Sequence, residues 1–135
     1  YCTGLGKAIL AFLPREEFQA YLESVELKAF SPNTITSAEK MKSEAARIRR
    51  LGYAVDNEEL SIGLRCVAAP VFDYSGYPAY ALSVSGPTQR MAKTKIQTMK
   101  DQLLSVCQRF SRQIGAPARS SERPAEYADR SAKEE

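Results

Sequence analysis

Two repeat lengths alternate along this chain, one near four residues and one of two. An apolar run from Leu5 to Leu13 follows Thr3, Gly4 and Gly6 and stops at Pro14. A hydroxyl ahead of small residues suits a helix N-cap, and proline ends a helix, so this run predicts a short buried helix. Pro14 suits the first position of a second helix, in which Phe18, Tyr21 and Leu22 recur at helical spacing while Arg15, Glu16 and Glu17 face water. Residues 28–35 hold a Pro-Asn pair and few core candidates, and read as a loop. Thr36 with Glu39 three positions on has the form of a capping box, opening a helix with Met41, Ala45, Ile48 and Leu51 on its apolar face and Gly52 as its stop. Arg47, Arg49 and Arg50 oppose the macrodipole at the end of that helix and read as a solvated face rather than a phosphate patch.

From Tyr53 the period becomes two. The segments YAVDN, LRCVAAPVF and PAYALSVSG predict three strands, the last two joined by a hairpin at Asp73 to Gly76, where glycine supplies a positive φ. In the last strand Tyr80, Leu82 and Val84 share one face, and Ala79, Ala81, Ser83 and Ser85 the other. A face of such small side chains leaves space above it. Residues 93–114 return to helical spacing through Ile96, Met99, Leu103, Cys107, Phe110 and Ile114, with Gly115 as the stop, and Cys107 within the buried stripe reads as a small core residue. Helices flanking an antiparallel meander make an α+β domain over residues 1–115. Residues 116–135 carry one aromatic, no β-branched side chain and many charges, the composition of a disordered tail.

Composition narrows the function. The 135 residues are 44% hydrophobic and 26% charged, as in a soluble globular domain. No apolar run nears the roughly 20 residues that cross a bilayer, and a cytoplasmic location is expected. The chain has no histidine, which removes Ser-His and Cys-His catalysis and His-ligated metals. Cys2, Cys66 and Cys107 are odd in number and widely spaced, which suggests neither a disulfide framework nor a Cys-x-x-Cys metal site. A net charge of +3 is spread along the chain, short of a nucleic-acid footprint. No metal, cofactor or membrane is therefore expected.

Three groups of residues could carry chemistry. The turn Thr3-Gly4-Leu5-Gly6 enters a helix whose free N–H groups suit an anion, although Gly6 also fits plain close packing. Asp56, Cys66, Ser83 and Ser85 lie on three consecutive strands. If register unites them, one pocket offers a carboxylate, a thiol and two hydroxyls to a small polar ligand; otherwise Asp56 caps a turn and Cys66 fills core. Glu58 and Glu59 project to opposite sides of the chain and read as a solvated turn rather than an acid–base pair. Arg65 points away from Cys66 by strand alternation, which disfavours a thiol enzyme built on Cys66 and Asp56.

The stretches CTGLGKAILAFLP at 2–14, SPNTIT at 31–36 and GYAVDNEELSIGLRCVAAPVFDYSGYPAYALSVSGP at 52–87 resemble the effector-binding domain of the IclR family of bacterial transcriptional regulators. The resemblance runs from Tyr1 to about Gly115. It implies a GAF-like or profilin-like fold, a curved antiparallel sheet with helices packed on it and a small-molecule pocket on one side. It implies no catalytic residues, and a ligand set formed by the amides of Gly4 and Leu5 with Asp56, Leu64, Cys66, Ser83 and Ser85. Related glyoxylate sensors carry a smaller residue where Leu5 stands, so the pocket here is expected to be narrowed or redirected. The implied effector is a small organic acid (keto, hydroxy, sugar-derived or aromatic). The implied parent is a homodimer or homotetramer, expected to be a repressor, that grips operator DNA through an N-terminal winged helix-turn-helix. That module and the opening strands of the sensor domain are absent from this sequence. An oligomerisation module with its pocket filled by side chains is the competing expectation.

Overall fold

A computed structural model describes residues 1–118. The chain forms α1 (Gly4–Leu10), α2 (Arg15–Ser24), α3 (Ala38–Leu51), β1 (Ala54–Asn57), β2 (Leu64–Val71), β3 (Tyr80–Pro87) and α4 (Lys93–Gln113). The strands make one antiparallel sheet in the order β1-β2-β3. Among the described residues no helix is long and apolar enough to cross a membrane. The expected tail lies outside the described residues from position 119. Ala116, at its start, still donates its N–H to Ser111 O at 2.9 Å.

Strand alternation divides the core in two. One face sends Val67, Ala69, Val71, Leu82 and Val84 against Ile96, Leu103 and Cys107 of α4. The other carries Ala54, Cys66, Ala68 and Ala81 against Ala8 of α1, Phe12 of the link that follows it, Phe18 of α2, and Met41 and Ile48 of α3. The expected split of β3 into a bulky and a small face is observed, and Cys107 is core as expected, 2% exposed. Small side chains on the second face let the α1 backbone approach the sheet closely. An ideal Cβ on Gly4 would lie 2.7 Å from Cys66 Sγ and 3.2 Å from Ala68 Cβ, so only glycine fits there.

Four local expectations are corrected. Ser37, not Thr36, caps α3, its Oγ accepting from Lys40 N–H at 3.2 Å. Glu39 therefore falls one position early for a capping box and pairs with Lys42 instead. Pro14 is the N-cap of α2 rather than its first helical residue, and α1 ends at Leu10. Two of the three arginines on α3 are anchored: Arg47 grips Glu44 through two hydrogen bonds of 2.7 and 2.8 Å, and Arg49 donates to Ala11 O at 2.7 Å. Glu59 is buried rather than solvated, and Ser31 and Thr34 of the expected loop are buried too.

The partner of Glu59 explains its burial. Lys7 on α1 is 2% exposed and spends its three ammonium protons on Glu59 Oε1 at 2.5 Å, Val55 O at 2.7 Å and Glu44 Oε1 at 3.0 Å. One cation thus ties α1 to β1, to the turn after it and to α3. Lys7 and Arg47 offset Glu44 and Glu59 in this cluster, with the buried Asp56 carboxylate beside Glu59 as a third acid. Burial pushes the Glu59 carboxyl up, against the pull of Lys7. For Glu44 burial also pushes upward, but the hydrogen bonds and charges of Arg47 and Lys7 outweigh it and hold the group down at about 2.

Gly4→Ala should lower stability by about 1–3 kcal/mol through overpacking, despite alanine's better helix propensity. A melting temperature equal to that of wild type would show that α1 does not rest on Cys66. Lys7→Met should cost about 3–5 kcal/mol in urea unfolding, because Glu59 is left buried and unpaired, and Lys7→Met with Glu59→Gln should recover much of the loss. Glu44 binds its proton less readily in the folded chain than in the unfolded one. Its stabilisation is complete above its ordinary value of 4.5 and is lost as pH falls toward about 2. Melting curves across that interval should fall more steeply for wild type than for Glu44→Gln; parallel curves would refute the pairing.

Candidate functional site

Register on the small face decides which polar side chains meet. Asp56 pairs with Cys66, and Cys66 with Ser85, so these three form one row across all three strands. The next row is Ala54, Ala68 and Ser83. Leu64 lies beyond Cys66 on the same side, opposite Pro87. Directly paired residues in an antiparallel sheet project to the same face, and so do residues two apart. Asp56, Leu64, Cys66, Ser83 and Ser85 therefore share the face on which α1 rests. The sheet brings together the four strand residues grouped from sequence, and Leu64 with them.

The start of α1 completes the arrangement. Thr3 caps it, its Oγ1 accepting from Gly6 N–H at 3.0 Å, while Lys7 N–H bonds to Thr3 O. Among the described residues the Gly4 and Leu5 N–H groups meet no acceptor, as expected in a first helical turn. Seven residues sum only a modest dipole, so these two N–H groups are what the helix offers an anion. Gly4 presses on Cys66 Sγ, and Leu5 is 40% exposed at the rim.

The polar members differ in their freedom. Asp56 is 2% exposed, with Oδ1 accepting from Glu59 N–H at 2.8 Å. Among the described residues nothing hydrogen-bonds its Oδ2. The Ser83 and Ser85 hydroxyls likewise have no hydrogen-bond partner there, Ser83 half-buried and Ser85 exposed. Cys66 is 6% exposed and unpaired. Arg65 points to the opposite side, donating to Asn57 Oδ1 at 2.7 Å and Met91 O at 2.6 Å, so it does not activate the thiol. No group of three or more His, Cys, Asp or Glu that could hold a metal is found among the described residues. The surface is thus a short polar row with one acceptor, two hydroxyls and two main-chain donors, suited to a small anion that also carries a hydroxyl.

Sequence reasoning missed Lys7, Glu59, Ser31 and Thr34, which brace the start of α1 and the turn that follows β1. Ser31 Oγ donates to Glu58 O and Thr34 Oγ1 to Glu59 O, each at 2.5 Å. Glu58 itself sits at φ 61, the one positive φ outside glycine among the described residues. Such a left-handed residue costs on the order of 1–2 kcal/mol and persists where its surroundings hold it.

Residues 1–112 match the family described as bacterial transcriptional regulator IclR C-terminal. The HTH-type transcriptional regulator KdgR of Escherichia coli is 40% identical over 115 residues, 85% of this chain and 44% of that protein. A Thermotoga maritima IclR structure superposes with a TM-score of 0.83 at 46% identity, covering 85% of this chain and 47% of the other. The inducer-binding domain of an Acinetobacter PobR double mutant, solved with 3-hydroxybenzoic acid, gives a TM-score of 0.71 at 26% identity, with 84% and 63% covered. The chain spans less than half the length of KdgR, and its α+β fold is that of the C-terminal, effector-binding domains. With the family match extending over almost every described residue, the chain belongs to the IclR family of bacterial transcriptional regulators and corresponds to their C-terminal domain.

Proposed function

We propose that this chain is the ligand-sensing part of an IclR-type regulator and that it binds a small organic acid reversibly, without chemical change. The observation that carries this reading is the row Asp56, Cys66 and Ser85, with Ser83 beside it, on the face where Gly4 at the start of α1 packs against Cys66. The ligand carboxylate accepts from the amides of Gly4 and Leu5 and from the hydroxyls of Ser83 and Ser85. Asp56 Oδ2 accepts from a hydroxyl or a hydrated carbonyl of the ligand, while Cys66 and Leu64 form the wall. The complex of PobR with a hydroxylated aromatic acid supports this class of ligand.

Binding controls the parent when the ligand prefers one arrangement of an N-terminal helix-turn-helix on operator DNA. A coupling of about 1–3 kcal/mol is typical, and repression is the expected sense in a homodimer or homotetramer. A thiol enzyme is disfavoured because Gly4 covers Cys66 Sγ and no cation hydrogen-bonds the sulfur among the described residues.

Calorimetric titration with keto, hydroxy and aromatic acids of two to eight carbons tests the proposal. At least one acid should bind saturably, and Ser85→Ala or Asp56→Asn should weaken it about tenfold or more, the worth of a hydrogen bond to a charged group. Absence of binding across the panel, with Ser83 and Ser85 unaffected in NMR spectra, would overturn it in favour of an oligomerisation module.

A further inference from the structure

Resting on that reading, the geometry points to a buried clasp, formed by Ser31, Thr34 and Glu59, that positions Asp56 and so sets the preference for hydroxylated over plain acids. Glu59 is held at three points. Its carbonyl accepts from Thr34 Oγ1 at 2.5 Å, its carboxylate accepts from Lys7 at 2.5 Å, and its N–H donates to Asp56 Oδ1 at 2.8 Å. Ser31 Oγ fixes the neighbouring Glu58 carbonyl, and Asn33 Nδ2 donates to Asn57 O at 3.3 Å. Loop 31–34 thereby pins the three successive carbonyls of Asn57, Glu58 and Glu59 that follow Asp56 in the chain.

The loop is itself locked. Thr34 Oγ1 accepts from Phe30 N–H at 3.0 Å and Ser31 N–H at 2.9 Å, and Ser31 Oγ accepts from Asn33 N–H at 3.0 Å. Both hydroxyl residues are at least nine-tenths buried, so water cannot replace what they supply.

The consequence falls on one oxygen. With Oδ1 bonded to Glu59 N–H, the Asp56 carboxylate is fixed in rotation and presents Oδ2, which has no partner among the described residues, to a ligand. A carboxylate free to rotate would meet a ligand hydroxyl in several poses and repel the ligand's own charge in others. Ser31 and Thr34 act on the Asp56 side of the turn directly and reach the amides of Gly4 and Leu5 only through Glu59 and Lys7, so their loss falls first on the hydroxyl contact. Ser31 and Thr34 are positioning residues in this scheme, with no ligand contact of their own.

The test titrates the full chain with acids matched except for one hydroxyl: glycolate with acetate, lactate with propionate, and mandelate with phenylacetate. Wild type should favour the hydroxylated member of at least one pair by about tenfold or more. Thr34→Val and Ser31→Ala should each reduce that ratio several-fold through weaker binding of the hydroxylated acid, with the plain acid little changed, and Thr34→Ser should restore it. Equal weakening of both acids, or a ratio unchanged in both variants while they still bind, overturns the clasp and leaves the site reading standing. Failure of wild type to bind any of the six, or any acid of the wider panel, removes the site reading and the clasp together. Should Thr34→Val not fold, Ser31→Ala decides the matter, since it keeps the hydrogen bonds of the Thr34 hydroxyl.

Discussion

A single ammonium group inside the protein constrains much of this fold. Lys7 leaves the solvent only because three oxygens from separate parts of the chain converge on it, and those parts can converge only when α1, α3 and the β1–β2 turn are all in place. Hydrophobic burial of Ala8, Phe12, Met41 and Ile48 supplies the driving force for that side of the sheet, but it is indifferent to small rotations of α1. The ion cluster is not. It selects one azimuth and one height for the helix, and with them the position of the Gly4 and Leu5 N–H groups over the sheet. The placement of the start of α1 over the sheet is therefore set by electrostatics inside a shell made by apolar contact.

That division also explains what could be read from the sequence. Strand alternation and the punctuation by Gly52, Gly76 and Gly115 depend on neighbours within a few residues, and each was legible. The likeness of faces in β3 followed from period two, so Ser83 and Ser85 could be grouped before their surroundings were known. Lys7 could not be identified in this way. Its partners lie 37 to 52 residues away, and a lysine one turn into an amphipathic helix looks like any solvent-facing lysine. Glu59 was hidden similarly behind Glu58, since adjacent acids in a short turn read as hydrated unless something distant neutralises one of them. Thr36 and Ser37 stand side by side as equally good caps, and only the path of the loop chose between them.

Loop 28–35 shows the same limit from another direction. Composition classified it correctly as irregular, but irregular did not mean peripheral. Ser31 and Thr34 are polar residues with roles normally met by secondary structure, satisfying main-chain carbonyls that would otherwise be buried without donors. The turn they hold contains the left-handed Glu58 and leads from Asp56 into β2. A polar loop is thus part of the interior, and its contribution was invisible to any argument from apolar periodicity.

The hairpin between β2 and β3 is remote from the polar row, yet it governs it. Asp73 Oδ1 gathers Ser75 N–H, Ser75 Oγ and Tyr77 N–H, and Gly76 at φ 82 completes a turn of fixed length. Because successive strand residues alternate sides, sliding β3 by one place would carry both serines into the α4 core and thrust Leu82 and Val84 beneath α1. The half-buried aspartate at the tip is in this sense the custodian of parity: it determines whether the sheet shows alcohol or hydrocarbon to the side on which α1 rests.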